Sequence, residues 1–209
     1  MFYLIKPQWW LKKLYPACVW EMPPNKNEKV IYLTFDDGPH PQATPFVLDE
    51  LKKHNAKATF FCIGKNVAEH TDIYRRILNE GHSTGNHTFN HKNGWKTNDL
   101  AYLKDITAAR EYIDSSLFRP PYGKISKWQI KHVRNAFQMQ VIMWSVLSAD
   151  FDTQVTPETC LKNVILGAKP GSIVVFHDSE KAWTNLAYAL PKVLIHFAEQ
   201  GYRFEKINL

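Results

Sequence analysis

The stretch VIYLTFDDGP, residues 30–39, decides how the rest of the chain is interpreted. Its first six residues are apolar or β-branched with one tyrosine, a pattern typical of a buried strand. The strand runs directly into Asp36 and Asp37, and a Gly-Pro turn follows. Because adjacent carboxylates repel each other, the pair needs a bound cation or a raised pKa in one member. We expect one aspartate to bind a metal ion and the other to act as a base; a solvated Asp-Asp turn is the alternative.

Strand-like and helical segments alternate along the rest of the chain. Further strands are predicted at 58–63, 141–146, 172–176 and 202–207, with a short extended piece at Phe118. Helices are predicted at 44–54, 65–79, 99–116, 127–137, 157–166 and 186–199. Thr44 is the predicted N-cap of the first helix. This rhythm favours a parallel sheet with helical crossovers, and about seven units make a barrel as good an interpretation as an open sheet.

Length and composition indicate one folded domain. The chain has 209 residues, 44% of them hydrophobic and 13% aromatic, enough to bury a single large core. We expect a domain at 29–209, preceded by an extension, 1–28, that includes a turn at 23–25 and packs on the domain. The net charge of +6 comes from scattered residues, which argues against a nucleic-acid partner. A monomer is expected.

The N-terminal twenty residues are aromatic but interrupted by lysines and a proline. We therefore predict neither a signal peptide nor a transmembrane segment. Trp9 and Trp10 with their flanking lysines leave peripheral membrane contact as an alternative to packing. The expected location is cytoplasmic or membrane-associated. Three cysteines without a CxxC pair argue against a disulfide framework, and Cys62 in an apolar run is expected to be buried.

The HTFNH stretch, residues 87–91, supplies the second part of the candidate site. Two histidines four residues apart would share one face of a helical turn and can bind one metal ion. Thr88 stands where a zinc protease would carry its glutamate base, so the base must come from elsewhere, and Asp36 can supply it. One carboxylate and two imidazoles suit zinc, with Co²⁺ and Ni²⁺ as alternatives.

Polar residues also follow other predicted strands. His177 comes at the end of the 172–176 strand and is a candidate general acid, although a hydrogen-bonded core histidine is the alternative. Asp150 can orient its imidazole. Arg119 lies in a loop that two prolines make rigid, where it can approach the aspartate pair. In parallel α/β folds the carboxyl edge of the sheet is where such residues meet.

These motifs together resemble the polysaccharide deacetylase family, also called the NodB homology domain or carbohydrate esterase family 4. The resemblance covers about residues 29–209 and implies a distorted (β/α) barrel, often seven-stranded, that removes N-acetyl groups from amino sugars with a metal ion. It implies that Asp37, His87 and His91 bind the metal.

The resemblance also implies roles for the remaining motif residues. Asp36 would be the base, His177 the acid paired with Asp150, and Arg119 the residue that positions Asp36. The Tyr122 backbone N–H would help to stabilise the oxyanion. The expected substrate contacts are Pro120, Tyr122, Phe151 and Val175.

Three positions depart from the family pattern. Leu147 replaces an acid and Phe151 a tryptophan, while Val175 replaces a leucine. The loss of an acid at Leu147 bears on the surroundings of Arg119. Phe151 and Val175 keep an apolar wall for the acetyl methyl group.

The predicted partner is an N-acetylated glycan, from which the chain would release acetate. Hydrolysis of an O-acetyl ester or another non-peptide C–N bond by the same metal centre is the second prediction. An inactive carbohydrate-binding relic is the third.

Overall fold

The computed structural model describes residues 4–23 and 28–209, whose strands form one parallel sheet that curls around an interior. The strands are β1 Cys18–Val19, β2 Val30–Asp36, β3 Ala58–Cys62, β4 Ser83–Asn86, β5 Leu117–Phe118, β6 Gln140–Ile142, β7 Val146–Leu147, β8 Ile173–His177 and β9 Arg203–Phe204. The helices are α1 Trp9–Leu14, α2 Ala43–Lys53, α3 Gly64–Glu69, α4 Thr71–Asn79, α5 Asp99–Arg110, α6 Lys127–Asn135, α7 Pro157–Ile165 and α8 Trp183–Glu199, with a 3₁₀ turn, η1, at Pro121–Gly123.

One bent segment joins the two ends of the sheet. The strand order is β1-β6-β5-β4-β3-β2-β8-β7, with β9 beside β2. Only residues 143–145 separate β6 from β7, so these three residues carry the chain from β6, the neighbour of the terminal strand β1, to β7 at the opposite end of the sheet. The Met143 N–H donates to the Val19 carbonyl, and the Ser145 N–H donates to the Ile173 carbonyl. The predicted α/β barrel is confirmed, and the predicted single strand at 141–146 is two strands with a bend.

Alternation along β2 determines which side chains reach the site. Side chains of successive strand residues point to opposite faces. Ile31, Leu33 and Phe35 pack in the core between the sheet and the outer helices. Thr34 and Asp36 point the other way, toward the barrel interior, where both contact Arg119. A hydrophobic strand therefore delivers a carboxylate to the interior.

The core has layers on both sides of the sheet. On the helix side, the Phe35 ring stacks on Phe60 at 5.1 Å and on Phe176 at 6.1 Å between centroids. Inside the barrel a second cluster fills the space below the site, and it contains Met22, Phe61, Leu117, Ile142, Ile173 and Ile207. Cys62 is buried, as predicted. The floor of the site therefore rests on close-packed apolar side chains.

The described part of the N-terminal segment lies against the bent segment. The Ile5 carbonyl accepts a hydrogen bond from the Leu147 N–H, β1 pairs with β6, and Trp20 is buried. Trp9 and Trp10 on α1 are 67% and 51% exposed. The predicted turn at 23–25 lies mostly outside the described residues. Within those residues, no helix is long and apolar enough to cross a membrane.

Several predicted helix bounds are wrong for local reasons. Thr44 is not an N-cap: α2 begins at Ala43, and the His40 Nδ1 atom accepts from the N–H groups of residues 42 and 43. The predicted helix 65–79 is two helices, because the backbone at His70 leaves the helical conformation. The helix predicted at 99–116 ends at Arg110. Strand β4 was not predicted, since its sequence STGN lacks large apolar residues.

We expect Phe35→Ala to lower the free energy of unfolding by about 3–5 kcal/mol, because it removes a fully buried ring between two others. Urea denaturation measures this loss. Leu166→Ala, at a side chain that is 77% exposed, is the control and should change stability by less than about 0.5 kcal/mol. Equal stability of the two variants would contradict this packing.

Candidate active site

The turn after β2 brings both aspartates to the carboxyl edge of the sheet. Asp36 is the last residue of β2, and Asp37 has a positive φ of 80°, which turns the chain sharply. The Asn66 side-chain amide donates to the Asp37 carbonyl at 2.7 Å. In the parallel ladder, Asp36 lies opposite His177 of β8. The predicted base and the predicted acid are therefore neighbours on adjacent strands.

His87 and His91 lie in a loop, so the prediction of a helical turn is wrong. Thr88 and His91 both have positive φ values, 64° and 54°. Side chains compete successfully for the backbone N–H groups that a helix would use. The Asn86 Oδ1 atom accepts from the Thr88 N–H, and buried Asp105 on α5 accepts from the N–H groups of residues 89 and 90.

The loop still brings both imidazoles to Asp37. The Asp37 Oδ1 atom lies 3.2 Å from His91 Nε2 and 3.6 Å from His87 Nε2. One ligand atom from each of the three residues lies within 4.8 Å of the others. Asp37 Oδ1 is buried and accepts no hydrogen bond from the described residues. This orphaned oxygen and the two nitrogens fit a divalent cation such as Zn²⁺.

Protonation and orientation of the ligands agree with this fit. Burial lowers the pKa of His87 to about 4, so its imidazole is neutral at pH 7. The His87 Nδ1 atom donates to the Arg119 carbonyl at 2.7 Å, which leaves Nε2 free to bind. Burial opposes ionisation of Asp37, but the nearby imidazoles of His91, His177 and His87 hold its pKa below the usual range. Metal ligands must be in these deprotonated forms.

Arg119 is fully buried and directs Asp36. Its NH1 atom donates to Asp36 Oδ1 and to Thr34 Oγ1, both at 2.7 Å. Nε and NH2 donate to the carbonyls of Ile142 and Met143. Burial lowers the pKa of Arg119, and the Asp36 carboxylate opposes the shift. The guanidinium therefore occupies one oxygen of Asp36, Oδ1, and does not contact the other.

The loss of an acid at Leu147 does not leave Arg119 without partners. All three of its nitrogens donate to other groups, and the guanidinium lies 4.0 Å from the centroid of the Phe61 ring. Leu147 instead lines the cavity wall. The side chain at position 147 therefore forms part of the cavity wall and is not among the hydrogen-bond partners of the arginine.

His177 forms an ion pair with Asp150. Its Nδ1 atom lies 2.7 Å from Asp150 Oδ1, and its backbone N–H donates to Asp150 Oδ2 at 2.7 Å. Ser148 donates to Oδ1 as well. Burial works against protonation, but Asp150, through charge and hydrogen bond, raises the pKa of His177 to about 9. The imidazole is thus held as a cation with Nε2 free to donate a proton.

One cavity of about 610 Å³ lies at the predicted site, and the fully buried Arg119 and Asp150 contact its lining through Asp36 and His177. Asp36, Asp37, His87, His91 and His177 all line it. The four predicted substrate contacts also line it: Pro120, Tyr122, Phe151 and Val175. The predicted residues therefore meet in one place, while their roles stay predictions.

Two further residues support the site: Asp178, to which no prediction assigned a role, and Thr44, which was predicted only as an N-cap. Asp178 Oδ1 accepts from the Gly38 N–H at 3.1 Å, and its Oδ2 accepts from the Thr44 hydroxyl at 2.5 Å. Thr44 Oγ1 in turn accepts from the His40 N–H. A Cβ atom at Gly38 would lie only 2.0 Å from Asp178. Burial and the charge of Asp37 raise the pKa of Asp178 to about 8. The network of hydrogen bonds around Asp178 holds the turn that follows the aspartate pair. In the sequence, this network is indicated by the polar residue that directly follows His177, Asp178.

Comparison with known proteins gives matches over nearly the whole chain. A profile of the polysaccharide deacetylase family matches residues 24–141. A peptidoglycan-N-acetylglucosamine deacetylase of Bacillus cereus is 37% identical over 205 residues, which are 94% of this chain and 95% of the relative. A chitooligosaccharide deacetylase of Azorhizobium caulinodans is 37% identical over 160 residues, 73% of this chain and 75% of the relative.

A solved structure is similarly close. A crystal structure of a peptidoglycan N-acetylglucosamine deacetylase superposes with a TM-score of 0.85 at 35% identity. The match covers 96% of this chain and 94% of the other.

We expect Asp178→Ala to lower the free energy of unfolding by roughly 2–5 kcal/mol, because it leaves two buried donors without an acceptor. We also expect Zn²⁺ affinity to fall about tenfold or more, since the turn that carries Asp37 loosens. Chemical denaturation and Zn²⁺ titration measure both effects. Thr44→Ser keeps the hydroxyl and should change either quantity little; wild-type values for Asp178→Ala would disprove the supporting role.

Proposed function

Because the chain belongs to the polysaccharide deacetylase family, we propose that it removes N-acetyl groups from an amino-sugar glycan and releases acetate. The reaction would depend on one divalent metal ion, with Zn²⁺ preferred and Co²⁺ or Ni²⁺ as alternatives. One cavity, which Asp36, Asp37, His87, His91 and His177 line, carries this proposal, because three groups of residues meet at its wall. These are the Asp37-His87-His91 cluster, the Asp36–Arg119 pair and the His177–Asp150 pair.

In this proposal Asp37, His87 and His91 hold the metal ion. When bound, the ion would act as a Lewis acid toward the acetamide carbonyl and would lower the pKa of water. Asp36 takes the proton from the attacking water. Arg119 fixes one oxygen of the Asp36 carboxylate, so that the other oxygen is presented as the acceptor.

His177 acts when the leaving group departs. Its Nε2 proton goes to the leaving nitrogen, and the Asp150 contact at Nδ1 keeps the ring protonated and oriented. The Tyr122 backbone N–H is proposed to stabilise the oxyanion, because Tyr122 lines the cavity in a backbone turn with a φ of 60°. Pro120, Phe151 and Val175 would form the wall for the acetyl group.

Two other functions fit parts of the site. The same metal centre would also suit an O-acetyl ester, since the acetyl group and the tetrahedral intermediate are alike. An inactive sugar-binding protein is less well supported, because every proposed metal, base and acid position carries a competent residue with the required contacts. We propose an N-acetylated glycan as substrate, since both curated relatives described above are named as glycan deacetylases.

We propose that residues 29–209 form the catalytic domain and that 1–28 pack on it. We also propose that the protein is a monomer and that it is cytoplasmic or membrane-associated. Exposed Trp9 and Trp10 support peripheral membrane contact as an alternative role for α1.

Asp37→Ala and Asp36→Asn should separate metal binding from proton transfer. Asp37→Ala is expected to lose both bound Zn²⁺ and acetate release, because one of three ligands is gone. Asp36→Asn is expected to keep Zn²⁺ and to lose turnover by about 100-fold or more, since an amide cannot accept the proton. Metal analysis and acetate release from an N-acetylglucosamine oligomer, with and without a chelator, measure this. Full activity of Asp36→Asn would exclude Asp36 as the base.

Asp150→Asn should move the alkaline limb of the pH–rate profile. The acid form of His177 is present below its pKa, so activity is expected to fall as the pH rises through about 9. Removing the Asp150 charge lowers that pKa, so the fall should begin at a lower pH. The measurement is kcat/KM against pH on the Zn²⁺-loaded enzyme. An unshifted limb would contradict the role of the pair, and Lys52→Gln on the exposed side of α2 serves as the control.

A further inference from the structure

The turn η1, at Pro121–Gly123, carries the backbone N–H that is proposed to stabilise the oxyanion. Two consecutive residues of this turn have positive φ values, 60° at Tyr122 and 65° at Gly123. A residue other than glycine rarely adopts this conformation, which persists only where the surrounding structure holds it. The direction of the Tyr122 N–H therefore depends on what packs against the turn.

The edge of the Trp144 indole packs against Gly123. A Cβ atom added at Gly123 would lie 2.5 Å from Cη2 and 3.0 Å from Cζ3 of Trp144. No side chain fits at that distance, so the indole is in van der Waals contact with the glycine backbone itself. Trp144, Gly123 and Tyr122 all line the cavity of the candidate active site.

Trp144 belongs to a segment whose own position is fixed. The backbone is held on both sides of it, because the Met143 N–H donates to the Val19 carbonyl and the Ser145 N–H donates to the Ile173 carbonyl. The indole packs against two hydrophobic clusters, one of them inside the barrel. Its N–H donates to no group among the residues that the structure describes, so packing sets the orientation of the ring. The indole therefore gives η1 a rigid support.

The other side of the turn reaches a proposed metal ligand. The centroid of the Tyr122 ring lies 4.6 Å from that of the His91 ring. Because the Tyr122 side chain is 46% exposed, its own packing holds the turn only weakly, and the closer support comes from the Gly123 side. A shift of η1 would therefore move the proposed oxyanion donor relative to the metal site.

We propose that Trp144 is a positioning residue for the deacetylation: the edge of its indole, against Gly123, fixes η1 so that the Tyr122 N–H points at the oxyanion. This inference rests on the proposed function and adds to it a residue that acts through the turn. The negative charge on the oxygen develops only in the transition state. Misplacing its donor is therefore expected to lower kcat and to leave KM little changed.

Two glycine variants separate the contact from the backbone conformation. Gly123→Ala places a Cβ atom against the indole, and we expect kcat of the Zn²⁺-loaded enzyme on an N-acetylglucosamine oligomer to fall about tenfold or more, with KM within about twofold. Gly201→Ala is the matched control, because Gly201 has a φ of 76° but nothing lies within 4 Å of an added Cβ. This control should keep the wild-type kcat. Equal losses of kcat in the two variants would overturn the inference.

Tryptophan variants test the same contact from the other side. Trp144→Phe removes the far edge of the ring, so kcat is again expected to fall about tenfold, whereas Trp128→Phe, on α6 and outside the cavity lining, should leave it unchanged. In the double variant Gly123→Ala with Trp144→Phe, the new methyl group occupies space that the indole vacates. Its kcat relative to the wild type should therefore exceed the product of the two single effects by about fivefold or more. Effects that simply multiply would disprove the contact.

Amide hydrogen exchange measures the hold on the turn without any turnover. The Gly123 and Lys124 N–H groups donate to carbonyls of the same loop at 3.0 and 3.1 Å. Both should exchange about tenfold faster in Trp144→Phe than in the wild type or in Trp128→Phe, because the turn opens more often. Unchanged exchange would overturn the inference even where acetate release supports deacetylation. If the wild-type protein releases no acetate, the proposed function is overturned, and faster exchange in Trp144→Phe still supports the hold of the indole on η1.

Discussion

The buried guanidinium of Arg119 is the contact on which the candidate site depends. It lies at 0% exposure inside the barrel, where an unpaired charge would cost several kcal/mol. Its partners come from different parts of the fold: Asp36 and Thr34 of β2, and the carbonyls at the end of β6. Its own carbonyl accepts from His87. One residue therefore connects the proposed base, a proposed metal ligand and the segment that closes the barrel.

The parallel sheet by itself brings most of the site residues together. Strands of one direction end at the same edge, so Asp36 and His177 meet as register partners on β2 and β8. Alternation along each strand then points Thr34 and Asp36 inward from β2, and Val175 and His177 inward from β8. The aromatic residues on the opposite face of the same strands form the stacked core. One face of these strands therefore packs in the core, and the opposite face carries the site residues.

The sequence predicted well what depends on strand periodicity and motif order. The stretch 30–39 was enough to predict a buried strand that ends at an aspartate pair. The alternation of elements predicted a parallel α/β fold, and the family resemblance then favoured the barrel over an open sheet. The sequence predicted poorly where side chains replace backbone partners. His87 and His91 lie in a loop because Asn86 and Asp105 take the N–H groups that a helical turn would use. Strand β4, with the sequence STGN, is a strand because of its neighbours β3 and β5 rather than its own residues.

The position of Leu147 shows why a departure from a motif must be judged in three dimensions. By sequence, the loss of an acid here bears on the environment of Arg119. The bend at residues 143–145 instead brings backbone carbonyls to the guanidinium, and these acceptors do not depend on the side chain at 147. Leu147 is thereby free to line the cavity beside Phe151 and Val175. A leucine at this position leaves the contacts of the proposed acid–base groups intact and gives the cavity wall an apolar side chain.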